Sequence, residues 1–76
     1  MVKRWTLKQA RVAKDMTQEQ LGEACGMGQA QISQIESGIV EQPRLETMDR
    51  LAKALGMVAF FSVQGLFFEE PSDENS

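Results

Sequence analysis

The sequence predicts an all-α fold, a compact bundle of four short helices followed by a short C-terminal β-strand. Three observations carry this. Thr6 with Gln9 and Thr17 with Gln20 form two capping boxes, each able to satisfy amides that the first turn of a helix leaves unpaired. Between Leu45 and Leu55 apolar residues recur at helical spacing. From Met57 onward the spacing gives way to Val58, Ala59, Phe60, Phe61, Ser62 and Val63, a run rich in β-branched and aromatic residues with no glycine or proline. At 76 residues the chain holds one small domain.

The first helix starts after Thr6 and runs to about Lys14, with Leu7, Ala10 and Ala13 spaced along its inner face. Trp5, just before the cap, is expected to lie as an aromatic lid over the end of the core. Thr17 starts the second helix. Met16 and Leu21 stand one before the cap and one turn inside it, the two positions of a hydrophobic staple. Gly26 falls where this helix must stop and turn sharply, with Cys25 and Met27 as apolar plugs on either side. In the third helix Ile32 and Ile35 share one face, while Gln29, Ala30, Ser33 and Gln34 project to the other, and Gly38 ends it. Residues 39–44 form a loop containing Pro43. Leu45, Met48, Leu51, Ala52 and Leu55 then define a fourth helix closed by Gly56.

The helical domain is placed at residues 1–57, a dimerisation strand or hairpin at 58–68, and a disordered acidic tail at 69–76. Gln64 and Gly65 could fold the strand back onto Leu66, Phe67 and Phe68 within one chain. A single hairpin is marginal in water, and its phenylalanines would stay partly exposed. Pairing with the same strand of a second chain answers both difficulties, so a homodimer is expected, with Val58, Phe60, Phe61 and Val63 at its interface.

Composition excludes most chemistry. The chain has no histidine, no tyrosine and one cysteine, which rules out a histidine-based triad, a multi-cysteine zinc site and an intrachain disulfide. No enzyme activity, metal or cofactor is expected. Cys25 reads as a small buried apolar residue. The apolar run from Met57 to Val63 is too short and too late for a signal or a membrane span, so a cytoplasmic protein is expected, with no membrane partner. The net charge of −3 is unusual for a DNA binder, but Glu69, Glu70, Asp73 and Glu74 leave residues 1–68 with a net charge of +1. Lys3, Arg4, Lys8, Arg11 and Lys14 make a modest basic end, so charge permits DNA binding without arguing for it.

With this order of elements, the chain resembles the lambda-repressor/Cro-like, or XRE-type, helix-turn-helix family from Leu7 to about Met57. The resemblance rests on Leu7, Arg11, the TQEQL of Thr17 to Leu21, Gly26, Ile32, the IESG of Ile35 to Gly38, Pro43, and the LAKALG of Leu51 to Gly56. It implies a four- to five-helix bundle that binds double-stranded operator DNA, usually as a dimer. Carried onto these positions, Gln29, Ala30, Ser33 and Gln34 face the major groove, where glutamine can bond adenine bidentately and an alanine methyl can touch a thymine methyl. Thr17 and Gln18 match phosphate-contacting positions, with Gln18 aided by the positive end of its helix dipole, and Arg44 matches a basic residue near the DNA backbone or minor groove. Arg11 and Glu36 match a structural ion pair.

Two departures stand out. Gly28 replaces the usual serine or threonine cap, and Ile39, Val40, Glu41 and Gln42 replace a loop that is often basic. One domain alone should therefore bind DNA weakly, which makes dimerisation important. The expected function is a repressor acting as a homodimer on an inverted repeat. The strand and acidic tail resemble the antitoxin branch of the family, which implies a cognate toxin partner and autoregulation. The alternative is a protein-interaction module of the same fold that has given up operator binding.

Overall fold

The structure, a computed structural model, describes residues 3–40 and 42–71. Four helices, α1 (Leu7–Ala13), α2 (Gln18–Cys25), α3 (Gln29–Ser37) and α4 (Leu45–Leu55), precede strands β1 (Val58–Ser62) and β2 (Gly65–Glu69). Both capping boxes form. Thr6 Oγ1 accepts from the Gln9 amide at 3.2 Å and Gln9 Oε1 accepts from the Thr6 amide at 2.9 Å. Thr17 and Gln20 repeat this at 3.0 and 2.9 Å. Met16, at the staple position, packs half-buried against a core that contains Leu21.

The helical period selects the core. Leu7, Ala10, Leu21, Cys25, Ile32, Met48, Leu51 and Leu55 are buried, each on the inward stripe of its helix. Two expected positions are exposed instead. Ala13 is exposed, because successive three-residue steps drift round the helix and the second step from Leu7 leaves the inner face. Leu45 is 80% exposed, since it sits roughly a quarter turn round α4 from the Met48, Leu51 and Leu55 stripe.

The C-terminal strand finds its partner within the same chain. β1 and β2 form an antiparallel hairpin in which Val58 faces Glu69, Phe60 faces Phe67 and Ser62 faces Gly65. Val63, expected in the strand, instead lies with Gln64 in the two-residue connection and is fully exposed. The hairpin overcomes its marginal stability by packing on the helices: Phe68 is completely buried, and Met57 joins the same core. The hairpin thus shares a core with the helices through Phe68, and Ala59 and Leu66 also pack against that core.

Trp5 extends the sheet by a single bridge, its amide donating to the Phe68 carbonyl at 2.9 Å and its carbonyl accepting from the Phe68 amide at 2.8 Å. The indole lies half-buried against the core, as the expected lid, with Lys3 Nζ 4.3 Å from the ring centroid. The expected tail also begins later than residue 69. Glu69 is the last residue of β2, opposite Val58 in the register, and Glu70 Oε1 lies 2.9 Å from Lys14 Nζ. Residues 72–76 of that tail lie outside the described residues.

Candidate nucleic-acid interface

The α2–turn–α3 unit is held at close range by two glycines with different tasks. At Gly22 a Cβ would stand 2.6 Å from the Met27 carbonyl oxygen, so the two helices can approach only because that atom is missing. The Met27 amide donates to the Gly22 carbonyl at 2.8 Å across the same contact. Gly26 adopts φ 73°, the left-handed conformation that ends α2 and turns the chain into α3. Gly28 caps α3 without a side-chain bond, as its lack of a hydroxyl requires.

With Ile32 fully buried, the opposite face of α3 is turned outward: Gln29, Ala30 and Gln34 are exposed and Ser33 is half-buried. Behind that face lies a connected polar network. Arg11 Nε donates to Glu36 Oε2 at 2.6 Å, its NH2 group reaches Glu36 Oε1 at 3.4 Å, and its NH1 group donates to the Met16 carbonyl at 2.7 Å. The expected structural ion pair is therefore present, and its side chains are only 12% and 6% exposed.

The sequence pattern did not show how this pair connects to the reading face. Gln18 Nε2 donates to Glu36 Oε1 at 3.0 Å, and Gln18 Oε1 accepts from Gln29 Nε2 at 3.3 Å. Gln18, matched above to a phosphate position, thus bridges the ion pair to Gln29. Polar residues at the start of α2 and α3 were the available signal, but the link requires the interhelix approach that Gly22 permits. It holds Gln29 with its remaining amide hydrogen and its carbonyl lone pairs for a ligand.

The other matched positions are not drawn into this network. Thr17 is exposed and its hydroxyl oxygen serves the cap. Arg44 is exposed at the N-cap of α4, beside a groove of about 410 Å³ that Gln31, Val40, Gln42 and Thr47 help to line. Glu41, the acidic residue of the loop, lies outside the described residues.

The basic N-terminal end is mostly engaged internally. Arg4 Nε lies 3.5 Å from Glu69 Oε2, Arg11 is held by Glu36, and Lys14 by Glu70. These cations neutralise the protein's own carboxylates, so this end is a weaker electrostatic footprint than the composition of residues 1–14 suggests. Of the expected dimerisation residues, Val58 and Phe61 are exposed, and Phe60 is half-buried with its ring centroid 6.1 Å from that of Phe67.

Cys25 is buried with Sγ 3.7 Å from the Arg50 carbonyl oxygen. Desolvation pushes its thiol pKa up, opposed by the positive charge of Arg50. Among the described residues no group of three or more cysteine or carboxylate side chains is placed to hold a metal ion. Nor is any of their helices long and apolar enough to cross a membrane.

A helix-turn-helix family model matches residues 7–60, which covers α1 to the middle of β1. No curated protein matches the chain.

Proposed function

This chain belongs to the lambda-repressor/Cro-like, XRE-type helix-turn-helix family, and we propose that it represses transcription by binding an inverted-repeat operator as a homodimer in the cytoplasm. The coarser part, a DNA-binding transcription regulator, follows from the family. The observation that carries the rest is the outward face of α3, backed by the chain of contacts from Arg11 through Glu36 and Gln18 to Gln29. A side chain held in one orientation before the duplex arrives loses less freedom on reading a base, and Gln29 is held at one end by Gln18.

In this reading α3 enters the major groove and its Gln29, Ala30, Ser33 and Gln34 meet base edges. The amides at the start of α2, with Thr17 and Gln18, face a phosphate, and Arg44 meets the backbone beyond α3. A glutamine offered to adenine and an alanine methyl offered to thymine favour an operator containing A·T pairs. No catalytic step and no cofactor enter the mechanism. With Arg4, Arg11 and Lys14 engaged by carboxylates, affinity depends on two copies binding together, their α3 helices in successive major grooves about 34 Å apart.

Selection from a random duplex library at low salt tests the reading. One enriched inverted repeat is the expected result, and Gln29→Ala or Gln34→Ala should relax the preference at separate positions by about 1–3 kcal/mol. A folded protein that enriches no sequence would overturn it in favour of an interaction module of the same fold. We further propose that the protein is an antitoxin that autoregulates its operon. The sheet after α4 and the acidic residues beyond it support this, and co-purification of a basic protein encoded by the adjacent reading frame is its test.

A further inference from the structure

We propose that the open edge of β1, with the groove between β1 and α4, is the seat of a second copy of this chain, and that each copy's Phe61 fills the other's groove. The inference gives a surface to the homodimer in the proposed function and rests on that part of it, not on DNA binding.

The backbone argument begins at Trp5. Phe68 exchanges both of its hydrogen bonds with Trp5, so its amide and carbonyl point away from β1. Its register partner, Ala59, therefore occupies a position where the two strands do not bond to each other. Alternation places Phe61 in the same class, so the N–H and C=O groups of Ala59 and Phe61 point out of the sheet on the side away from β2. Among the described residues no strand pairs with that edge.

Such an edge fits itself. A two-fold axis at Phe60 sets Ala59 of one copy against the partner's Phe61, and the reverse, so that the four outward groups of each copy are satisfied in four hydrogen bonds. The product is a four-stranded sheet ordered β2–β1–β1–β2, with Phe60 of both copies adjacent on its outer face.

The side chains agree with this register. Ala59 and Phe61 lie on the face of β1 that turns towards the helices, and Ala59 packs against the core while Phe61 remains 40% exposed. The partner's Phe61, opposite Ala59, reaches the groove of about 570 Å³ that Leu45, Met48, Ala52, Met57 and the receiving copy's own Phe61 help to line. This accounts for the exposure of Leu45, at 80%. Charge does not oppose the approach at the groove, where Lys53 Nζ lies 3.1 Å from Asp49 Oδ2, and Arg4, 5.2 Å from the Phe60 ring centroid beside the axis, is countered by Glu69 of its own chain.

The test is sedimentation of the full chain without DNA, comparing wild type with Phe61→Lys, Leu45→Lys and Val63→Lys. Wild type and Val63→Lys should sediment as dimers at micromolar concentration. Phe61→Lys and Leu45→Lys should weaken association by about a hundredfold or more and give monomers. Amide spectra that keep the Trp5–Phe68 contacts would confirm that the monomers are folded, and Leu45, exposed on the surface, serves if Phe61→Lys does not fold. In a mixed-label sample, Ala59 should show contacts to the partner's Phe61. A monomeric wild type, dimers of both lysine variants, or a dimer without that cross-chain contact would overturn the proposal. A dimer that selects no operator would leave it standing while removing the DNA-binding reading.

Discussion

Two glycines in the helix-turn-helix unit, alike by residue type, respond to different physical limits. Gly22→Ala gains helix propensity but sets a methyl 2.6 Å from the Met27 carbonyl oxygen. Net destabilisation of about 1–3 kcal/mol is expected, read as a lower urea midpoint with the slope unchanged. Gly26→Ala meets no neighbouring atom and loses only the ease of its left-handed φ, about 1–2 kcal/mol, most of which asparagine should recover. The polar network separates stability from recognition in the same way. Arg11→Ala strands a nearly buried Glu36 carboxylate and should cost about 3–5 kcal/mol, losing folding and binding together. Gln34→Ala, at an exposed position, should keep the melting temperature and lose only operator preference; equal melting temperatures for the two variants would refute that division. The Arg11–Glu36 pair was legible in the sequence because both residues belong to a spaced family pattern. The role of Gln18 was not, since a hydrogen bond across 18 positions depends on how closely two helices approach.

At the level of elements, caps and periods were readable because they are local. Both capping boxes and the left-handed ends at Gly26, Gly38 and Gly56 lie where turn chemistry puts them. What local pattern could not supply was the partner of β1. An apolar strand looks the same whether it pairs with its own chain or with another, and only the burial of Phe68 beneath the hairpin shows the first answer. The uneven capping of α2 and α3 leads to a direct measurement. Thr17→Ala should destabilise by about 1 kcal/mol, whereas Gly28→Ser, entering open space, should stabilise by only a few tenths, since glycine is already a fair cap. Cys25 adds a pH dependence. Its folded thiol pKa is raised, so the neutral form is favoured in the fold. The stability this provides is complete below the unfolded pKa and is lost as pH rises towards the folded value. Cys25→Ala should therefore flatten the alkaline limb of the stability profile.

For the molecule as a whole, the two ends of the described chain meet on one face. Arg4 and Lys14 hold Glu69 and Glu70, and Trp5 holds Phe68. Truncation after Gly56 would remove a completely buried phenylalanine along with the strand, so such a chain should lose its cooperative melting transition before its oligomeric state can be compared. Point substitution at Phe61 or Leu45 is the cleaner probe of association, because both lie on the surface. The bridge between Trp5 and Phe68 also sets an order of events during synthesis. The first helices can form as they emerge from the ribosome, but the core remains open beneath Trp5 until Phe68 has followed. The core behind the reading face is therefore complete only when nearly all of the described chain has left the exit tunnel, and a ribosome stalled at α4 would display its helices without the phenylalanine that closes their core.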